Sequence, residues 1–231
     1  MLNSQINLPS SAELPDSDDI PMDNEDQNIL PNLLAAILRV IWQDRQDWFF
    51  GIDMGIYHTT GISPRVPIVP DGFLSLGVER RKNNRSRPSY VVWEENDIVP
   101  LLSLEFVSQT YGGEYEQKMD SYARLGVLYY LVYNPNHWQR DRHTPFEVYR
   151  LEEGSYQLQI GEPFWMPEIS LGIGRRCYEV GAEKREILSW YDATGKAYLT
   201  PEEMAQKAQQ EVTELQSLLE RYRQQFGDLE N

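Results

Sequence analysis

Apolar and polar positions alternate through the segment PLLSLEFVS. Leu102, Leu104 and Phe106 fall on one side and Ser103, Glu105 and Val107 on the other, which predicts a strand. The period then changes. In EYEQKMDSYARLG, Glu114, Lys118 and Tyr122 lie four residues apart and share one predicted helix face, while Met119, Leu125 and Val127 can face a core. Gly126 predicts the helix end, and VLYYLVYNP predicts a second strand stopped by Asn134-Pro135. A strand, helix, strand unit with a right-handed crossover makes the two strands parallel neighbours or near neighbours.

Upstream, Leu30, Leu33, Leu34, Ile37, Ile41 and Trp42 have helical spacing, with Pro31 expected in the first turn. DWFFGIDMGIYH, RVPIVPDGFLSLG and SYVVWEE read as strands, with Asn96-Asp97 as a turn into the Glu105 strand. Consecutive strands without helices imply antiparallel pairing, so the expected sheet is mixed. Downstream, PFEVYRL and YQLQIG flank Glu153-Gly154, and EILSWYD and KAYL flank Thr194-Gly195, two predicted hairpins that add a sheet edge or a small β cap. Thr200, Pro201 and Glu203 start a helix strongly. From there Ala205, Ala208, Val212, Leu215, Leu219, Tyr222 and Phe226 recur at alternating spacings of three and four, a heptad seam. It predicts a homodimer or larger assembly, or else packing on the chain's own core. The expected fold class is α/β, a mixed β-sheet flanked by helices and followed by a long C-terminal helix or coiled coil.

Glu105 stands out chemically as a carboxylate inside an apolar strand. Burying an ionised carboxylate without a partner costs several kcal/mol or more, so a cation or hydrogen-bonding site is expected there. Other residues have two readings each. Asp71 lies in Pro-Asp-Gly, a turn signal as well as a candidate metal ligand. Glu114 and Lys118 also fit a surface ion pair. Tyr122 also fits a core-edge aromatic.

Asp71 in PD, Glu105 in SLEFVS, Lys118 in EYEQK, Tyr122 and LGVLYYLVYNP resemble the putative restriction-endonuclease family abundant in cyanobacteria, a branch of the PD-(D/E)XK nuclease superfamily. YVVWEENDIVP and LSWYDATGKAYLTPEEMAQKA resemble a long form of it, so coverage runs from roughly Pro21 into the C-terminal helix. The resemblance implies a restriction-endonuclease-like fold and metal-dependent phosphodiester hydrolysis, with Asp71 and Glu105 holding Mg2+ or Mn2+. It gives Lys118 a catalytic role, with Glu114 and Tyr122 in support. Two departures stand out. The superfamily's usual lysine lies two residues after the second acid, where this chain has Val107, and the resemblance implies that Lys118 reaches the same place from the helix. The family's usual Asp four residues before that lysine is Glu114 here.

At 231 residues and 41% hydrophobic, the chain suffices for one α/β core with appendages. The expected division is 1–26, an acidic extended or partly ordered segment; 27–199, the nuclease-like domain; and 200–231, the heptad helix. One cysteine, Cys177, excludes an internal disulfide, and the start lacks a secretory pattern. The expectation is a cytoplasmic protein without a membrane partner. A net charge of −15 opposes nucleic-acid binding, but seven acids and no base lie in the first 26 residues, and seven acids against three bases lie from Thr200 onward. Within the middle, Arg80, Arg81, Lys82, Arg85 and Arg87 form a basic loop that fits either weak phosphate contacts or a solvated hairpin tip. Nucleic acid, DNA in the first place, is the expected substrate. The competing class is a catalytically inactive relative serving as a dimeric binding or regulatory module, which Val107 and the acidic balance favour.

Overall fold

The apolar stripe near the N-terminus forms α1 (Glu25–Ile41), which buries Leu30, Leu34, Ile37 and Leu38. The computed structural model describes residues 8–15, 25–109 and 112–227. β1 (Trp48–Ile52), β2 (Ile56–Tyr57), β3 (Gly72–Leu76), β4 (Tyr90–Val91) and β5 (Leu102–Phe106) follow α1. Next come α2 (Gln117–Leu125), β6 (Tyr129–Tyr133), the single turn α3 (Trp138–Asp141) and the hairpin β7 (Phe146–Glu152) and β8 (Ser155–Leu158). β9 (Phe164–Met166), β10 (Leu171–Val180), β11 (Glu183–Tyr191) and α4 (Pro201–Phe226) complete the described elements.

Six strands form one mixed sheet in the order β1-β3-β5-β6-β7-β8, antiparallel except for the parallel pair β5 and β6. α2 makes the crossover between those two parallel strands, as the change of period predicts. It ends at Gly126, whose φ of 92° is the left-handed conformation that glycine adopts without steric cost.

The alternation along β5 sorts the sheet into two packed faces. Leu102, Leu104 and Phe106 join the larger core with α1 and the separate antiparallel sheet β11-β10-β9. Trp190 of β11 ties these layers together by donating its indole N–H to the carbonyl of Leu34, 3.0 Å away. The opposite face packs Phe73, Tyr130 and Val132 against Tyr122 and Leu125 of α2.

Several local expectations need correction. Pro31 lies beyond the first turn of α1, inside the helix, where it is buried and contributes no N–H to the ladder. RVPIVPDGFLSLG is a strand only from Gly72, because Pro67 and Pro70 cannot donate ladder bonds; Ile68 makes one isolated bridge to Ile56. SYVVWEE is extended only at Tyr90–Val91, which pairs with β2 in parallel rather than antiparallel. The chain then turns through Val92–Glu94, placing the two acids Glu94 and Glu95 against Lys82 and Arg87. The Glu153-Gly154 hairpin forms, with φ of 48° and 84° at its two turn residues. Around Thr194-Gly195 there is one bridge, Tyr191 to Ala197, whereas the long hairpin β10-β11 was not read from the sequence. Of the acidic N-terminal segment, residues 1–7 and 16–24 lie outside the described residues; within 8–15, Leu14 is buried beside Tyr57 and Val91, and Ser11 donates its N–H to Glu94, 2.8 Å away.

Gly51 on β1 faces Phe73 so closely that a Cβ there would overlap the ring. Gly51→Ala is therefore expected to destabilise the fold by about 1–3 kcal/mol, the usual cost of overpacking, read as a lower midpoint in urea unfolding.

Candidate active site

Strand register brings the two candidate acids together. β3 pairs with β5 with Gly72 opposite Leu104, and one step further sets Asp71 opposite Glu105. Facing residues of an antiparallel pair project to the same side, here the side covered by α2. β3 begins directly after the Pro70-Asp71 step, and the backbone N–H of Phe106 is bound by the Asp71 side chain, with Oδ2 accepting at 2.6 Å. Among the described residues Oδ1 of Asp71 takes no hydrogen bond.

Glu105 is 1% exposed in the middle of the sheet. Such a carboxylate needs donors, and α2 supplies two from adjacent turns. Lys118 Nζ donates to Oε2 at 2.7 Å and the Tyr122 hydroxyl donates to Oε1 at 2.6 Å. Their spacing of four residues stacks them on the face turned to the sheet. Lys118 thus pairs with Glu105, not in a surface bridge with Glu114. Glu114 precedes the helix instead of sharing its face. It is buried, and both its carboxylate oxygens accept the N–H of Gly112 at 3.1 Å.

The electrostatics follow from this crowding. Burial, and then the nearby Glu105 charge, push the Asp71 carboxyl well above the ordinary aspartate range, against the Phe106 N–H and Lys118, which pull it down. Burial likewise raises Glu105, with Lys118 opposing. Burial alone would weaken the Lys118 ammonium, but Glu105 and Asp71 together outweigh it and hold the proton on more firmly. Lys118 is therefore a cation at neutral pH, paired with Glu105 and held also by the charge of Asp71.

Two neighbours escaped the sequence reading. Gln27 of α1 donates its side-chain amide to the Phe106 carbonyl at 3.3 Å, a contact across 79 positions that no local pattern signals. Asp53 donates its backbone N–H to the Asp71 carbonyl at 3.3 Å and adds a third negative charge to the Asp71 environment. Its positive φ of 45° marks it as a turn residue, and the GIDMG composition is the one sequence hint.

An oxygen-rich pair with mutual repulsion suits a hard divalent cation, which needs only one or two carboxylates together with water and phosphate oxygens. Asp71 and Glu105 fit that description. Among the described residues no group of three or more His, Cys, Asp or Glu side chains is arranged to hold a metal.

The basic loop is less free than its composition suggests. Arg87 is buried and forks onto Glu95, with Nε and Nη2 at 2.9 and 3.0 Å. Lys82 donates to the Glu94 carbonyl at 2.8 Å, and the Arg80 guanidinium lies 4.0 Å from the Trp48 ring centroid. Arg81 and Arg85 are exposed. With Arg80, Arg87 and Phe49 they line a cavity of about 340 Å³ whose wall includes Ile52, the register partner of Gly72 next to Asp71.

The family model described as putative restriction endonuclease, Uma2, matches residues 19–177. A solved structure described as a putative nuclease from Anabaena variabilis is 12% identical, with 64% of this chain and 74% of that one covered and a TM-score of 0.45. No curated protein matches the chain. Among the described residues no helix is long and apolar enough to cross a membrane.

The raised Asp71 carboxyl has a consequence for stability. The folded chain holds that proton more tightly than the unfolded chain, so Asp71 lowers stability as pH rises above its ordinary value of 3.8. Asp71→Asn keeps an acceptor for Phe106 and removes the charge. It is expected to stabilise the protein at pH 7, with the gain shrinking to nothing below 3.8, in urea unfolding repeated across pH.

Proposed function

The chain belongs to the putative restriction endonuclease family, and from that membership we propose that it is a divalent-metal-dependent endonuclease hydrolysing phosphodiester bonds of nucleic acid, DNA in the first place. The observation that carries this reading is the shared environment of Asp71, Glu105 and Lys118, with an ion pair of 2.7 Å between the last two.

Mg2+ or Mn2+, held by Asp71 and Glu105, would supply the Lewis acidity that neutralises phosphoryl charge and activates water. The residues of the chain do the rest. Asp71, anchored by the Phe106 N–H, fixes one side of the site and leaves Oδ1 to bind. Tyr122 holds Oε1 of Glu105 and so sets the rotation of that carboxylate. Lys118 is a charged donor on a flexible stem, which suits it to orient the attacking water and to stabilise the negative charge that develops in the transition state. Its firm hold on the proton argues against a role as the base. Gln27 steadies the Phe106 carbonyl at the end of β5.

Two observations favour the second reading, a catalytically inactive relative that binds or regulates. Val107 occupies the usual lysine position, and both oxygens of Glu105 are already engaged by Lys118 and Tyr122.

Incubation with supercoiled plasmid and oligonucleotides, in Mg2+ or Mn2+ and in chelator, separates the two. The nuclease reading expects metal-dependent cleavage that falls at least about 100-fold in both Asp71→Ala and Lys118→Ala. Cleavage equal in all three proteins, or absent with every substrate, would overturn it.

The exposed arginines generate a separate expectation. If Arg81 and Arg85 meet phosphates, replacing both by Ala flattens the slope of log affinity against log salt by roughly 1–2, the loss of one or two counterion-releasing contacts. An unchanged slope in filter binding would remove the loop from the interface.

A further inference from the structure

The seam of α4 lies in the open. Leu215 and Phe226 are each 64% exposed, Val212, Leu219 and Tyr222 are also exposed, and Leu218 at the edge of the seam is 60% exposed. The helix is anchored only at its start. Thr200 and Glu203 form a reciprocal cap, and Arg176 of β10 pairs with Glu203 at 2.6 Å. Beyond that base the 26-residue helix spans about 39 Å with an apolar stripe along it. A continuous apolar stripe of this length left in water is unfavourable, so it calls for a cover.

Alternating spacings of three and four are the pattern of a helix that packs along another helix of the same period.

We propose that α4 pairs in antiparallel fashion with α4 of a second copy of the chain. Seam volumes run from small to large: Ala205 and Ala208 near the base, Val212 and Leu215 in the middle, Leu219, Tyr222 and Phe226 toward the end. Antiparallel pairing with Val212 against Leu215 of the partner subunit sets Ala208 against Leu219 of the partner subunit and Ala205 against Tyr222 of the partner subunit. Every layer then joins a smaller residue to a larger one, which gives an even packing distance. A parallel, in-register pair would stack Ala on Ala at one end and Phe on Phe at the other.

Charge agrees with this choice. In the antiparallel register the flanking positions bring Glu202 beside Arg223 of the partner subunit, and symmetry repeats the contact at the other end. In the parallel register the corresponding flanking pairs are Met204 with Gln209, Glu211 with Gln216 and Leu218 with Arg223, none of them an ion pair. The exposed apolar side chains amount to roughly 600 Å² per helix, so two helices cover on the order of 1,200 Å², the lower edge of a stable specific interface.

The test uses the full chain and needs no nuclease activity, so it can fail independently of the proposed function. Sedimentation equilibrium at tens of micromolar is expected to give twice the chain mass of 27.0 kDa, and Leu215→Glu with Leu219→Glu to give the single-chain mass with an unchanged circular-dichroism spectrum outside the helix contribution. In a Cys177→Ser background, oxidation is expected to cross-link an Ala205→Cys protein to a Tyr222→Cys protein, and neither to itself. A wild-type monomer, a wild-type trimer or larger, a double variant that stays dimeric, or Ala205→Cys chains that cross-link to each other would each overturn the proposal.

Discussion

Glu105 is the point on which the rest of the structure turns. A carboxylate 1% exposed at the centre of a sheet is tolerated only with donors of good geometry, and the crossover helix provides both of them one turn apart. The parallel pairing of β5 and β6 requires that crossover, and the crossover requires the Gly126 cap that turns the chain back into β6. Topology and charge satisfaction are thus one arrangement. Removing either donor would leave a buried charge short of a partner, and removing the helix would leave it with neither.

Asp71 makes the arrangement costly. Placed opposite Glu105 by the strand register, it adds a second carboxyl that the buried setting resists ionising. A fold under no other demand would gain by replacing it. A stability cost carried by two neighbouring buried acids, with a lysine held charged beside them, is what a site prepared for a cation would show. The chain's other charges are handled differently: Glu94 and Glu95 absorb Lys82 and Arg87, which leaves Arg81 and Arg85 as the exposed part of a loop next to the Asp71 strand.

Much of this was legible because it is local. The period-two alternation places Glu105 opposite the face of Leu102 and Leu104, and four-residue spacing places Lys118 over Tyr122. Asp71 was ambiguous because Pro-Asp-Gly describes a turn equally well, and its place opposite Glu105 is set only by the register of two strands with 25 residues between them. Glu114 was misplaced because helical spacing extends past the residue at which the helix begins. Gln27 was invisible, since a side chain reaching across 79 positions leaves no periodic trace. The β10-β11 hairpin was hidden by the run of charges in Glu183 to Glu186, which lies on exposed strand ends, and the basic loop looked free because its acidic partners were assigned to a strand. The C-terminal helix was the clearest element, from cap to seam, because both signals are internal to it.

Anomalous diffraction from crystals soaked in Mn2+ addresses the central account most directly. A single strong peak about 2.0–2.3 Å from carboxylate oxygens of both Asp71 and Glu105, with Lys118 Nζ displaced from Oε2, is the predicted result. A fully soaked crystal with no peak at this pair, and with Lys118 still on Glu105, would contradict it.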